Sequence, residues 1–404
     1  MSSTTNIMPE DSTKKVAPLT MEELKEPLTE EERTEADNPF FIKQFTMFIE
    51  AFNGISNLSN KLRKSVTEQL RGHVKQRTAV KQAILQNPDI LNTEINPVVI
   101  IGFPRSGTTM LHRLLSNDPR FVAPMAFELL QPCPPGRPKN WKDTERYKKA
   151  KEDMSYIYPG GVSDFRHIHE INLDLPDECC YILQAGMVDN GWGGVPEFQE
   201  LREFIYLMPE DIATKLYEHY TNALKCIFYK GLEDGQVPLV KAPMHALYMD
   251  TLLKAFPNAK IIFPFRNTRD MIGSCCSLAE KRVPMTGYEY NSIYCSAAKL
   301  RFYKLAVQRL VSAMKTNSQD KILPVSYSEI VKDPLAAVKE IYTNFGWEVT
   351  PEMLENMQRH LQENEQHKHG KHTYNLDKFG LSDNDLKENM SEYLEYFGTK
   401  ENQF

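Results

Sequence analysis

The residues with the clearest chemical meaning lie in PVVIIGFPRSGTTMLHRLL, Pro97 to Leu115. There an apolar run breaks at Gly102 into an arginine and a Ser-Gly-Thr-Thr, and apolar residues then resume at helical spacing. A strand ending at Gly102 and a helix starting near Gly107 to Met110 leave successive backbone N–H groups unsatisfied at a helix N-terminus, where the helix dipole also favours negative charge. That arrangement holds a tetrahedral anion such as phosphate or sulfate. The spacing Gly102-x-x-x-x-Gly107 is that of a P-loop, but Thr108 stands where the usual lysine would be and Thr109 follows it. Arg105 supplies the missing charge as a planar fork suited to two oxygens of one anion. Ser106, Gly107, Thr108 and Thr109 complete the cradle. No aspartate at a later strand end forms a magnesium site with Thr108 or Thr109, which weakens a metal-assisted triphosphatase reading. The pattern alone also describes a plain glycine turn between strand and helix.

A second stretch, FPFRNTRDMIGSCCSL, ends a strand in Arg266 and enters a helix on which Ser274 lies eight residues later. One arginine and one hydroxyl can then converge on another anion at the edge of the next strand. Beside Asp270 the same two residues are equally readable as helix caps. Two anion sites at the carboxyl ends of neighbouring parallel strands suit a ligand phosphorylated at two places.

These residues need a scaffold, and the pattern around them supplies one. PVVIIGF, PLVKAP, AKIIFPFRN and KILPVSYSEI read as strands, alternating with helices at GTTMLHRLLSND, ALYMDTLLKAFPN and RDMIGSCCSLAEKR. Strands and helices alternating in this way make an α/β fold with a parallel sheet covered on both faces. Residues 1–37 are polar and poor in aromatics and read as a disordered leader. Residues 38–92 read as a helical extension and 93–404 as the main domain, with an insertion at about 132–235 that is too long for a connector and shapes a pocket. The 404 residues carry a formal net charge of −6, which argues against nucleic acid or an anionic membrane surface as partner. Seven cysteines without a C-x-x-C give neither a zinc pattern nor a disulfide framework. With no apolar run of transmembrane length and no signal-peptide core at the N-terminus, the expectation is a cytoplasmic protein.

Together the two stretches resemble the sulfotransferases that use 3'-phosphoadenosine 5'-phosphosulfate, PAPS. In that family a P-[KR]-S-G-T-[ST] loop, here Pro104 to Thr109, holds the 5'-phosphosulfate. An R-[ND]-x-x-[DE]-x-x-x-S element, here Arg266, Asn267, Asp270 and Ser274, holds the 3'-phosphate. A third match is SYSEIVKDP, Ser326 to Pro334, similar to Y-x-[DE]-[LM]-x-x-D-P, with Ile330 as the departure; it adds Tyr327 to the cofactor contacts. GFPRSGTT and the tail HTYNLDKFGLSDNDL look most like the broad branch common in bacteria and lower eukaryotes. The resemblance, from about Pro97 to Phe397, implies a P-loop-like three-layer αβα fold. It also implies PAPS as donor, no required metal, and a hydroxyl acceptor on a small molecule, lipid or glycan.

Sulfuryl transfer is an in-line displacement, so the protein must neutralise the bridging oxygen and activate the acceptor. Arg105, helped by Lys241 on the adjacent strand end, takes the first role. For the general base three candidates stand: Glu128, where related sulfotransferases carry a glutamate after the first helix, His169 in RHIHEINL, and His245 in KAPMHAL. His245 is four residues after Lys241, whereas the cytosolic steroid and phenol enzymes place histidine two after their lysine. Each candidate also has a structural reading, as a cap, a bonded loop histidine or a helix start. QHKHGKH, Gln366 to His372, reads as a basic lid or a solvated loop, and Cys275 and Cys276 as core. The aromatics of DNGWGGVPEFQELREFIYLMP line an acceptor pocket or pack the core. Two other classes stay open: a P-loop kinase or nucleotide triphosphatase, and a non-catalytic relative that binds the anion without turnover.

Overall fold

Val98, Val99, Ile100 and Ile101 are each at most 1% exposed, a burial that an extended segment reaches only inside a sheet covered on both faces. The computed structural model describes residues 16–158, 172–186, 192, 194–286, 288–318, 320–364 and 375–398. In it this run forms β1 (Val98–Ile100), the middle of a five-stranded sheet with β2 (Phe121–Val122), β3 (Val237–Lys241), β4 (Lys260–Phe265) and β5 (Ile322–Ser326). The strand order is β2-β3-β1-β4-β5 and every pairing is parallel. Ile100 lies in register with Lys241 on one side and Ile262 on the other, so the loop after β1 opens beside the last residue of β3.

The helices follow the strands in the alternation read from the sequence. Before the sheet come α1 (Met21–Lys25), α2 (Glu30–Ala36), α3 (Ile42–Gly54) and α4 (Asn60–Gln86); α5 (Thr108–Leu115) follows β1. Between β2 and β3 the chain makes α6 (Ala126–Leu130), α7 (Glu145–Ile157), α8 (Cys180–Gln184), α9 (Gln199–Tyr206) and α10 (Glu210–Phe228), which realises the helical insertion. α11 (Met249–Ala255) links β3 to β4, and α12 (Thr268–Arg282) and α13 (Ser292–Thr316) link β4 to β5. After β5 come α14 (Tyr327–Lys332), α15 (Pro334–Phe345), α16 (Pro351–Glu363), α17 (Asp383–Asn389) and α18 (Ser391–Phe397).

Side chains alternate across a strand, and here the alternation sorts them into two cores. Val98, Ile100, Leu239 and Ile262 pack with Leu111, Leu114 and Leu115 of α5 and with Val338, Ile341 and Met357 of α15 and α16. Val99, Ile101, Val240, Ile261 and Phe263 face the larger core with α10 to α13 and the N-terminal helices. The result is the expected three-layer α/β fold with helical additions.

Two expectations are corrected. Residues 16–37 are not a disordered leader: Leu19, Leu24 and Leu28 are at most 4% exposed, and Thr20 and Thr29 cap α1 and α2 through their side chains. Charged residues around these leucines dominate the composition and conceal their periodicity. Residues 1–15 lie outside the described residues. The second correction is at KILPVSYSEI, where β5 stops at Ser326, because the Ser326 side chain accepts from the Glu329 N–H and starts α14. β2 is two residues long, too short for any periodic signal.

The N-terminal segment is fastened by a buried ion pair. Glu35 at the end of α2 accepts from Arg77 Nε of α4 at 2.8 Å, and these residues are 5% and 3% exposed. The Arg77 guanidinium also lies over Phe41 and Phe45 at 4.5 and 5.1 Å. Removing one partner of a buried pair strands the other charge. Glu35→Ala is therefore expected to destabilise the protein by about 3–5 kcal/mol, read as a fall in the urea midpoint. A change within about 0.5 kcal/mol, typical of surface positions, would detach this segment from the cooperative fold.

Candidate active site at the β1–α5 loop

The loop after β1 turns on two glycines that admit no side chain. At Gly102 a Cβ would sit 2.4 Å from Thr108 Cγ2 and 2.8 Å from Ser106 Oγ, so the turn closes only on a glycine. Gly107 has φ +88° and the Tyr327 ring against it, 2.7 Å from where a Cβ would be. As the N-cap of α5 it contributes no side chain to the first amides of the helix. Ser106 closes the turn rather than the helix end, its hydroxyl donating to the Phe103 carbonyl at 2.7 Å and its N–H to the same oxygen at 3.1 Å.

Arg105 has φ +71°, a left-handed conformation that costs a non-glycine residue of order 1 kcal/mol or more. Three contacts hold it there. Arg105 Nε donates to Ser274 Oγ at 3.0 Å, the Arg105 carbonyl accepts from Arg266 Nη1 at 3.0 Å, and the neighbouring Pro104 carbonyl accepts from Tyr303 OH at 3.2 Å. The two sequence stretches thus meet in space. Arg266 is itself fixed: its guanidinium lies 4.4 Å over the Tyr327 ring and 3.4 Å from Asp270, and Tyr393 OH bonds both its N–H and its carbonyl. Arg266 Nε and Thr268 Oγ1 are buried with no hydrogen-bond partner. Two unpartnered donors beside a helix start fit an anion, and Thr268 is a residue that sequence reasoning missed.

Lys241 ends β3 beside the loop. It is 1% exposed, and its Nζ lies 2.6 Å from Glu178 Oε1 and 3.4 Å from Thr109 Oγ1. Glu178 was not anticipated either. It arrives because residues 172–179 fold back on the start of α6, with N–H groups of Ala126 and Phe127 donating to Leu175 and Leu173 and Asp177 N–H donating to Pro124. The Cys179 N–H then donates to the Lys241 carbonyl at 2.9 Å, which sets Glu178 over the end of β3. Glu178 follows an aspartate in LDLPDECC, but no local spacing distinguishes it from other acids of the insertion.

Arg105, Thr108, Thr109 and Glu178 line a cavity of about 190 Å³. Tyr158, Tyr181, Ile205, Tyr206, Leu278 and Phe302 line much of the rest, with Asp177, Arg202, Arg282 and Lys299 also on its wall. The aromatic stretch of the insertion divides between both expected fates. Tyr206 faces the cavity, while Trp192 and Phe198 stack at 4.9 Å in the core against Phe48. Of the two cysteines expected in the core, Cys276 is fully buried and Cys275, 4% exposed, also touches the cavity. A second cavity, of about 240 Å³, lies along the outer flank of α5, lined by Thr109, Met110, Arg113, His360 and Asn364 among others.

The expected bases fare differently. Glu128 is 1% exposed and fully engaged: its oxygens accept from Arg137 Nε and Nη2 at 2.8 and 3.0 Å and from the Met125 N–H at 2.8 Å. It is absent from the wall of the cavity that Arg105 lines. His245 is wholly buried, with Nδ1 2.8 Å from Tyr217 OH and its ring packed on Tyr220, and it too is absent from the wall of that cavity, which Pro243 and Met244 reach. Both take the structural reading, cap and core. His169 and the QHKHGKH segment lie outside the described residues.

A model of the sulfotransferase family matches residues 97–352, well over half of the chain. The chain belongs to the sulfotransferase family. It is 23% identical over 260 residues to the omega-hydroxy-beta-dihydromenaquinone-9 sulfotransferase Stf3 of Mycobacterium bovis, and equally to that of Mycobacterium tuberculosis. The match spans 62% of this chain and 62% of each relative. Among solved structures it resembles sulfotransferase STF9 from Mycobacterium avium, with TM-score 0.78, 20% identity, and coverage of 91% of this chain and 95% of that one. STF1 from Mycobacterium tuberculosis H37Rv gives TM-score 0.74 at 20% identity, over 92% and 98%. These likenesses establish the shared sulfotransferase fold. No helix among the described residues is long and apolar enough to cross a membrane, and those residues contain no group of His, Cys, Asp and Glu placed to hold a metal.

Burial pushes His73, His112, His219 and His245 down to about 3, against about 6.5 in an unfolded chain. Between those values the unfolded state binds more protons, so stability is full above pH about 6.5 and is lost as pH falls toward 3. Melting temperature is expected to drop from pH 7 to pH 4.5, and less steeply in His245→Gln. An identical slope in that variant would show that His245 is not held neutral by the fold.

Proposed function

We propose that this protein transfers the sulfuryl group of PAPS to a hydroxyl of an apolar acceptor, with Glu178 as general base. The observation that carries the reading is the position of the Glu178 carboxylate, bonded to Lys241 on the wall of the cavity that Arg105, Thr108 and Thr109 also line. The donor side is supported by a helix start without a side-chain cap, a loop that a Cβ would fill, and Arg105 converging with Arg266. Arg105, Thr108, Thr109 and the first amides of α5 would hold the 5'-phosphosulfate. Arg266 and Ser274 would hold the 3'-phosphate, with Thr268 added and Tyr327 bracing both loops. The cavity beside Met110 gives the nucleoside a place along α5.

In the step itself the acceptor oxygen bonds to sulfur while the bond from sulfur to the bridging oxygen breaks, and the acceptor proton passes to Glu178. Protonation of Glu178 removes the anionic partner of Lys241. The ammonium, helped by Arg105, can then turn its charge to the departing oxygen of adenosine 3',5'-bisphosphate. No metal is needed in this scheme, since two cations and a helix dipole carry the charge. The cavity's tyrosines, leucine and phenylalanine favour an apolar alcohol or phenol, a class consistent with the hydroxylated menaquinone named for the two mycobacterial relatives.

Thermal shift separates the donor classes. Adenosine 3',5'-bisphosphate is expected to raise the melting temperature clearly and ATP with magnesium to do so weakly; the reverse order would favour a kinase. Turnover, read as bisphosphate released from PAPS over a panel of alcohols and phenols, separates an enzyme from a non-catalytic binder. Glu178→Gln is expected to lower kcat by about 10²- to 10⁴-fold with unchanged bisphosphate affinity. Arg105→Ala should abolish turnover while Arg266→Ala mainly raises the KM for PAPS. Equal, small effects of both would mean that the site is elsewhere.

A further inference from the structure

A third, narrower cavity adjoins the main one, between α4 and α7. It is lined by Gly72, His73 and Gln76 of α4 and by Tyr156 of α7, and Ile157, Tyr181 and Gln184 line both cavities. Its volume is about 30 Å³, enough for the slender section of a hydrocarbon chain and too little for a ring system. Most of its polar side chains are bonded into the protein. Gln69 donates to the Tyr156 carbonyl at 2.8 Å, Gln76 to the carbonyls of Leu129 and Leu130 at 3.1 and 2.9 Å, and Glu68 accepts from Arg71 at 2.6 Å. What most of these residues can offer to the space is therefore their aliphatic stems; His73 Nδ1, buried with no hydrogen-bond partner, is the exception.

Gly72 is the telling residue. It sits in the middle of the 27-residue helix α4, where glycine weakens a helix relative to alanine. Interior helical glycines are often explained by close packing, but a Cβ at Gly72 would meet no atom within 4 Å. Nothing crowds it. The glycine keeps open a space bounded by α4, an element that precedes the sheet and holds none of the residues around Lys241 and Arg105.

We propose that the acceptor carries a long, unbranched or isoprenoid chain that leaves the reaction cavity past Ile157, Tyr181 and Gln184 and runs between α4 and α7, with Gly72 setting the room available to it. This rests on the proposed acceptor role of the main cavity and extends it to a chain-length determinant. The hydroxyl end stays beside Glu178 while the chain passes through the narrow cavity, so short acceptors do not reach Gly72 and long ones must pass it.

The test uses the full chain with geraniol and geranylgeraniol as short and long acceptors. Titration of each alcohol without donor reads the channel by itself. Gly72→Phe is expected to weaken geranylgeraniol binding tenfold or more and to leave geraniol unchanged. In turnover with PAPS the same variant should raise KM for the long alcohol alone, with kcat kept. Gly72→Ala should raise the melting temperature and bind both alcohols, which controls for helix integrity, and Gly72→Leu should fall between. Equal affinities of wild type and Gly72→Phe for geranylgeraniol, or equal losses for both alcohols, would overturn the channel. Tight, Gly72-dependent binding of the long alcohol without turnover would support the channel and count against sulfuryl transfer.

Discussion

A helix that begins on glycine has no side-chain cap for its first N–H groups, and much of this molecule is arranged around that deficit at α5. The deficit is useful only if the loop before it stays open to an anion and closed to its own side chains. Gly102 and Gly107 satisfy the second condition, since a Cβ at either would collide with Thr108 or Tyr327. The first is satisfied by turning Arg105 into a left-handed conformation and tying it to Ser274 and Arg266. The same bonds tie the end of β1 to the end of β4, so Arg105 and Arg266 are held side by side.

The chemistry is added from outside that frame. The insertion between β2 and β3 lays residues 172–179 against α6 and brings Glu178 to within 2.6 Å of Lys241. A buried ion pair is a weak source of stability, because desolvation offsets much of the attraction; its value here is positional. It places a carboxylate and a cation side by side, as the proposed transfer requires for the acceptor hydroxyl and the leaving oxygen. The insertion also supplies Tyr158, Tyr181 and Tyr206 to the cavity, so the element that delivers the proposed base also shapes the cavity beside it.

What was legible in the sequence was local. The loop from Gly102 to Thr109 and the Arg266 to Ser274 element announce themselves because their function depends on spacing along a strand, a turn and a helix. The three-layer fold follows from buried strands alternating with helices. Glu178 was not legible, since its role depends on a fold-back set by backbone hydrogen bonds between residues about fifty positions apart in sequence. Glu128 looked attractive for its nearness to the loop in sequence, but Arg137, nine residues on, holds both its oxygens. His245 has the right chemistry in the wrong place, enclosed by Tyr217 and Tyr220. The polar composition of residues 16–37 hid the leucines that dock them, because a few buried side chains and one ion pair with Arg77 suffice to order a short segment.

The account therefore turns on one carboxylate. Chemical rescue addresses it directly: Glu178→Ala is assayed with PAPS and a saturating alcohol acceptor across a formate series. The account predicts a kcat reduced to a small fraction of wild type that rises with formate toward saturation, as an external carboxylate takes the proton in the space vacated. A wild-type kcat in Glu178→Ala, or a depressed one indifferent to formate, would contradict it.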